Sequence, residues 1–188
     1  MKLRTVFLFL LIMALLDTLI VYIWPPDFSF QNMSFVPHIC FMALLLLAYK
    51  RNWIDRVLMG MLCGLIYDYF FLSTFPLSTI LFPAASFGLG WLIEKTSDDV
   101  RWLSLGTIGC VILLDILPFL VSKLFGQVSV SFGRWFLHME LMTIVFHCAA
   151  LLALYYIIDF IDRISMRHSN QKNAIEKKNY RRIRSFGK

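Results

Sequence analysis

Charge is what this sequence has least of: 16% of its 188 residues are Asp, Glu, Lys or Arg, where a soluble domain carries about 25%. Hydrophobic side chains fill the gap at 59% of the chain, a surplus for which a water-soluble fold has no use. Catalytic signatures are missing too. There is no H-E-x-x-H, no G-x-S-x-G and no Walker A sequence, and the lone histidines lack metal-ligand spacing. The expectation is a protein that is not an enzyme and has no catalytic residues, no metal and no cofactor. C-x-x-C pairs are likewise absent. Cys40, Cys63, Cys110 and Cys148 fall within apolar stretches and read as small buried residues, not as disulfide partners or metal ligands. Nor do the basic residues suggest nucleic-acid binding, since they collect in a tail without a folded platform.

What is present comes in blocks. Apolar residues fill positions 5–24, 35–49, 57–72, 78–93, 103–121 and 137–158, and the short stretches between them hold nearly every charge. About 20 helical residues cross the ~30 Å hydrocarbon core at ~1.5 Å per residue, so the longer blocks read as spans. The blocks 35–49, 57–72 and 78–93 are shorter and rely on snorkelling flanks or local thinning of the bilayer. Charge placement decides between five and six crossings. With six, Lys2, Arg4, Lys50, Arg51, Arg56, Lys95, Arg101 and the basic residues of 163–188 share one side, and only Lys123 and Arg134 fall on the other. That asymmetry follows the positive-inside rule. The expected fold is an all-α polytopic transmembrane helical bundle of six spans with both termini cytoplasmic. Residues 1–165 form the membrane domain and 166–188 a basic cytoplasmic tail. The first block opens like a signal peptide, but its apolar run is long and Trp24-Pro25-Pro26 offers no A-x-A site, so it is expected to stay as an anchor. The tail can lie on anionic lipid headgroups, at about 1 kcal/mol per basic residue, dock on an acidic partner, or remain solvated and serve topology alone.

Charged groups at the centre of a membrane helix cost about 2.5–3.5 kcal/mol each, so each one needs a reason. Counted along the spans, Asp17, Asp68, Asp115, His138 and Glu140 all fall within about 11 Å of the outer surface at ~1.5 Å per residue. They either gather in an outward-opening polar recess, where Asp17, Asp115 and Glu140 meet His138, Arg134 or Lys123, or they reach the interface and pair to lock the bundle. Glu140, Thr143 and His147 fall on one face of the last span. Gly60, Gly64 and Asp68, at spacing four, give the third span a face for close backbone approach, either to a neighbour in the bundle or to a partner. Ala84/Gly88, Ser86/Gly90 and Ala149/Ala153 repeat the small-residue device. Asp98-Asp99, beside Lys95 and Arg101, reads as a solvated cytoplasmic turn.

The stretch Gly64-Leu65-Ile66-Tyr67-Asp68-Tyr69-Phe70, running into Ser73-Thr74-Phe75-Pro76-Leu77-Ser78, resembles the rod-shape-determining protein MreD family. Members carry Gly-x-x-x-Asp, an apolar run and a small-residue turn in a chain of similar size and hydropathy. The basic loop after the second span and the basic tail are similar as well; where many members have a glycine eight residues after the Asp, this chain has Pro76. The resemblance implies a non-catalytic scaffold of the cell-wall elongation machinery in the bacterial cytoplasmic (inner) membrane. Its expected partners are an MreC-like single-span protein and, through it, other cell-wall elongation proteins, in support of cell shape and lateral peptidoglycan synthesis. Gly64 and Asp68 carry over onto the family pattern, and with Gly60 they are the expected partner-binding residues. A different class stays open. The substrate-binding subunit of an energy-coupling-factor vitamin transporter also resembles a six-helix bundle with an outward pocket, although the first span here lacks the A-x-x-x-A face that such subunits use for docking.

Overall fold

Seven α-helices and one π-helical turn make up the regular structure of the described residues. The computed structural model describes residues 3–70, 77–96 and 99–186, with side chains described from 4 to 167 outside the gaps. The turn 71–76, with its Pro76, and Asp98 therefore lie outside the described residues. Helices α1 (Leu3–Ile23), α2 (Ile39–Ala48), α3 (Trp53–Phe70), α4 (Leu77–Thr96) and α5 (Val100–Leu124) are followed by a short α6 (Phe132–Trp135), a π turn (Phe136–Glu140) and α7 (Leu141–Phe186). Helix α7 passes residue 165 without a break, so the membrane domain and the backbone of the basic tail share one helix.

Four segments are long and apolar enough to cross a membrane: Arg4–Ile23, Leu77–Thr96, Val100–Leu124 and Phe132–Arg167. Their outer faces are bare and greasy. In α1 the buried positions Val6, Phe9, Leu10, Met13, Ala14 and Asp17 recur at helical spacing on one stripe, while Leu8, Ile12, Leu15 and Leu19 on the other faces are exposed. Large apolar side chains facing outward belong in lipid, and this is an all-α membrane protein.

Two of the six blocks do not form such helices. α3 carries Asp55, Arg56 and Asp68 within its length. The sequence predicts a helix over 35–49, but only Ile39–Ala48 is helical. Pro37 supplies the reason, because it has no N–H to give and pushes Val36 away from helical geometry. The short α2 is apolar all round and sits at the centre of the bundle, with nine of its ten residues buried. Cys40 on α2 and Cys63 on α3 are buried with it. Cys110 is only partly covered and Cys148 is exposed, against the expectation that all four cysteines are interior.

The tightest pairing joins α3 to α4. A Cβ on Gly60 would lie 2.6 Å from Pro83 Cα and one on Gly64 2.6 Å from Thr79 Cα, both on backbone that cannot give way. One turn further along, Gly90 leaves space for the guanidinium of Arg56. That side chain is buried, bonds Glu94, and donates to Tyr49 O at 2.8 Å from the end of the α2 helix. The pairs 64/79, 60/83 and 56/90 run in opposite directions, so α3 and α4 are antiparallel. The glycine face of α3 is thus filled by α4 of the same chain, and a partner's membrane helix cannot use it, contrary to the expectation for Gly60 and Gly64. Overpacking a tight contact costs about 1–3 kcal/mol. Gly64→Ala is therefore expected to lower the unfolding midpoint of the detergent-solubilised protein, by roughly 2–4 °C per kcal/mol in a chain of this size. Gly109→Ala, where a Cβ meets nothing within 4 Å, is expected to leave the midpoint unchanged or raise it slightly; equal effects of the two would contradict this packing.

Candidate functional site

The site grows out of the break before α2. A helix that starts inside a bundle exposes N–H groups that no water can reach, each of which costs several kcal/mol in hydrocarbon if left unmet. Asp17 on α1 closes that end. One carboxylate oxygen accepts from Ile39 N at 2.9 Å and the other from Cys40 N at 2.8 Å, and the side chain is completely buried. The charge also sits at the positive end of the α2 dipole.

The non-helical residues before α2 are held just as fully. Ser34 N donates to His138 O at 2.9 Å, Val36 N to Thr143 Oγ1 at 3.2 Å, and His38 N to His147 Nε2 at 2.9 Å. Alternate N–H groups point the same way, as in a strand. The four steps from Ser34 to His38 rise about 13 Å at strand spacing, and the nine helical steps from His138 to His147 rise about the same, so the two run side by side in register. The stripe of Thr143 and His147 on α7 is thus the edge on which residues 34–38 are laid. Thr143 is itself satisfied, donating to Met139 O at 2.9 Å while it accepts from Val36.

Hydrogen-bond roles fix the ionisation of His147 and follow the Tyr67 hydroxyl at His38. His147 Nε2 accepts from His38 N, and its Nδ1 lies 2.6 Å from Thr143 O, which can only accept. The ring is therefore neutral, with its proton on Nδ1. Tyr67 donates its hydroxyl proton to Pro37 O at 3.2 Å and receives His38 Nδ1 at 3.3 Å. His38 Nε2 meets Asp115 Oδ1 at 2.8 Å. With the Tyr67 proton on Pro37 O, both His38 nitrogens donate and the ring pairs with Asp115 as an imidazolium. It stacks on His147 at 5.6 Å between ring centroids.

Several of these residues floor a partly open cavity of about 310 Å³ at the end of the bundle where α1 and α5 finish. His38, Tyr67, Asp115 and Ser78 supply its polar part, and Phe28, Phe30, Phe119 and Trp135 its aromatic walls. Glu140, the last residue of the π turn, lies within electrostatic reach of Asp115 and His38. It is completely buried, and neither of its carboxylate oxygens has a hydrogen-bond partner. Asp115 Oδ2 is also buried and unpartnered. π turns shift the register of a helix and recur at functional sites.

Other residues singled out from the sequence lie elsewhere. Arg134 Nε donates to Phe30 O at 3.1 Å; Phe30 is held in the left-handed region at φ 56°, a strain of about 1–2 kcal/mol for an aromatic residue. Lys123 lies 5.7 Å from the Phe119 ring centroid. Neither cation pairs with Asp17, Asp115 or Glu140, and His138 joins the site through its carbonyl. Asp68 caps a second helix, accepting from Ser78 N at 3.1 Å and from Thr79 N and Oγ1 at 2.8 Å at the start of α4. The residue that sequence reasoning missed is His38, which meets Asp115 across 77 positions. Its one local signal is a histidine following Pro37 at the head of an apolar run. Among the described residues no three His, Cys, Asp or Glu side chains converge as a metal site. No protein-family model, curated protein or solved structure matches the chain.

The loop after α1, whose Phe28 and Phe30 wall the cavity, is organised by Asp27. Its carboxylate accepts from Ser29 Oγ, from Ser29 N at 2.9 Å, Gln31 N at 3.2 Å and Asn32 N at 2.8 Å. The Ser29 hydroxyl is the largest of the influences that bring this carboxyl down to about 2, followed by the backbone N–H groups. A depressed carboxyl stabilises structure above its ordinary value near 4 and loses that contribution as pH falls through the folded value. The amide resonances of Gln31 and Asn32 are thus expected to stay constant from pH 7 to about 4.5 and to move between about 4 and 2. Asp27→Asn should abolish that transition; a midpoint above 5 in the native chain would contradict the assignment.

Proposed function

We propose that this chain is a non-catalytic scaffold of the bacterial cell-wall elongation machinery, of the kind the MreD resemblance implies. It would lie in the cytoplasmic membrane with six crossings and both ends cytoplasmic. Block 35–49 supports the count despite the shortness of α2. The run from Ser34 to His38 adds about 13 Å to about 15 Å of α2 helix, which together come close to the ~30 Å hydrocarbon core. Non-helical backbone is tolerated at that depth only where protein covers it, and here its N–H groups meet α1 and α7. The basic tail would then lie along anionic headgroups on the inner side.

The observation that carries the reading is an apolar groove of about 690 Å³ between α4 and α5, lined by Ala84, Ala85, Gly88, Gly106, Gly109 and Cys110 among leucines. A Cβ on Gly88 or Gly109 would meet nothing within 4 Å. Helices in lipid associate through small residues that allow close backbone approach. The groove is therefore the seat for the membrane helix of an MreC-like single-span partner, in place of the glycine face that α4 occupies. Gly88→Leu and Gly109→Leu, inserted normally, are expected to reduce co-purification of that partner about tenfold, equivalent to ~1.4 kcal/mol, and to round the cells. Ala149→Leu, on a lipid-facing side of α7, should leave both unchanged. Full co-purification and normal shape with both groove variants would refute the reading.

A further inference from the structure

We infer that the cavity floored by His38 and Asp115 binds a small organic cation, an amine with an apolar or aromatic body. The first argument is charge. Of the three carboxylates in the cluster, Asp17 is met by the N–H groups that open α2 and Asp115 by the His38 imidazolium. His147 is neutral by its hydrogen bonds, and the one cation within reach of Glu140, His38, is already paired with Asp115, so the cluster holds one more carboxylate than it has cations or helix-end N–H groups to meet.

The second argument is hydrogen-bonding capacity. The unmet buried atoms of the cluster's carboxylates, Asp115 Oδ2 and both oxygens of Glu140, can only accept when ionised. A buried acceptor without a donor costs about 1–3 kcal/mol, more when charged, and the missing complement is a cationic donor. An anion would find the one cation of the floor, His38, already paired with Asp115, and a divalent metal would find no three converging ligands among the described residues. The third argument is the wall. Phe28, Phe30, Phe119 and Trp135 surround an apolar body and offer ring faces that attract a cation. The Lys123 ammonium already rests 5.7 Å from the Phe119 centroid, yet leaves Asp115 Oδ2 unpartnered. At about 310 Å³ the space falls at the lower end of small-molecule sites, which run from about 300 to 1,000 Å³.

The inference does not rest on the scaffold reading, because the cavity and the α4/α5 groove are separate surfaces. The full chain, purified in detergent, is titrated with phenethylammonium chloride and, as matched probes, neutral 2-phenylethanol and anionic phenylacetate. Binding is followed by calorimetry and by tryptophan fluorescence, Trp135 standing in the wall. Saturable binding of the ammonium, at least tenfold tighter than either analogue, is expected. Asp115→Asn, in the cavity floor, and Glu140→Gln, which acts through its charge on Asp115 and His38, should each weaken it tenfold or more while eluting as the native protein does, and Ala149→Leu, on an exposed face of α7, should not. If Asp115→Asn does not fold, Glu140→Gln decides. Equal response to the alcohol, undiminished binding by the folded variants, or no saturable binding of the ammonium overturns the assignment.

Discussion

The whole arrangement depends on closing one helix end inside the bundle. Helix α2 begins where no water reaches, and its first N–H groups must find protein acceptors. Asp17 supplies two oxygens to two successive backbone donors, at 2.9 and 2.8 Å. A carboxylate offers a separate oxygen to each, whereas an amide of that size would turn its own N–H donors toward one of them, which explains a carboxylate on an otherwise apolar stripe of α1. Once that end is fixed, the residues before it must run extended, and α7 must present acceptors at strand spacing. The carbonyl of His138, the hydroxyl of Thr143 and the ring of His147 do so.

The same logic accounts for most of the polarity that the chain keeps within its apolar blocks. Asp68 closes the start of α4 as Asp17 closes α2. Arg56, buried against Gly90, ties α3 to Glu94 and to the carbonyl of Tyr49. These groups serve backbone and helix ends, and the fold needs them whatever the protein binds. After that accounting the described residues keep six unmet buried side-chain atoms: Arg56 Nε, Ser86 Oγ, His138 Nδ1, one oxygen of Asp115 and both of Glu140; of these, Asp115 lines the aromatic cavity. Residual unmet polarity next to a cavity is where a ligand reading has physical content.

Much of this was legible in the amino-acid sequence and some of it could not be. Hydropathy found the apolar blocks, because burial in lipid demands long uninterrupted stretches, and the helical backbone follows from the same demand. Depth counting brought Asp17, Asp115 and Glu140 to one end, but counting assumes regular rise, and it failed at Val36-Pro37, where an extended segment replaces helix. That shift is why His38, rather than His138 or Arg134, meets Asp115. The small-residue pattern on α3 signalled close approach without saying to what. Gly60 and Gly64 turned out to be used by α4, whereas Gly88 and Gly109 face open space, and spacing alone cannot separate those cases. Arg56 counted as a sorting charge in the sequence, yet it is 3% exposed, because its partners on α2 and α4 are set by tertiary packing.

The most direct test of the central claim is backbone amide exchange at Ile39 and Cys40, resolved by residue, in the native protein and in Asp17→Ala. If a buried carboxylate closes α2, both amides are as protected as those of Leu44 and Leu45 in the native chain. In the variant they exchange at least tenfold faster, while α5 is unchanged. Native amides that exchange freely at these two positions, or protection indifferent to the loss of Asp17, would contradict the account.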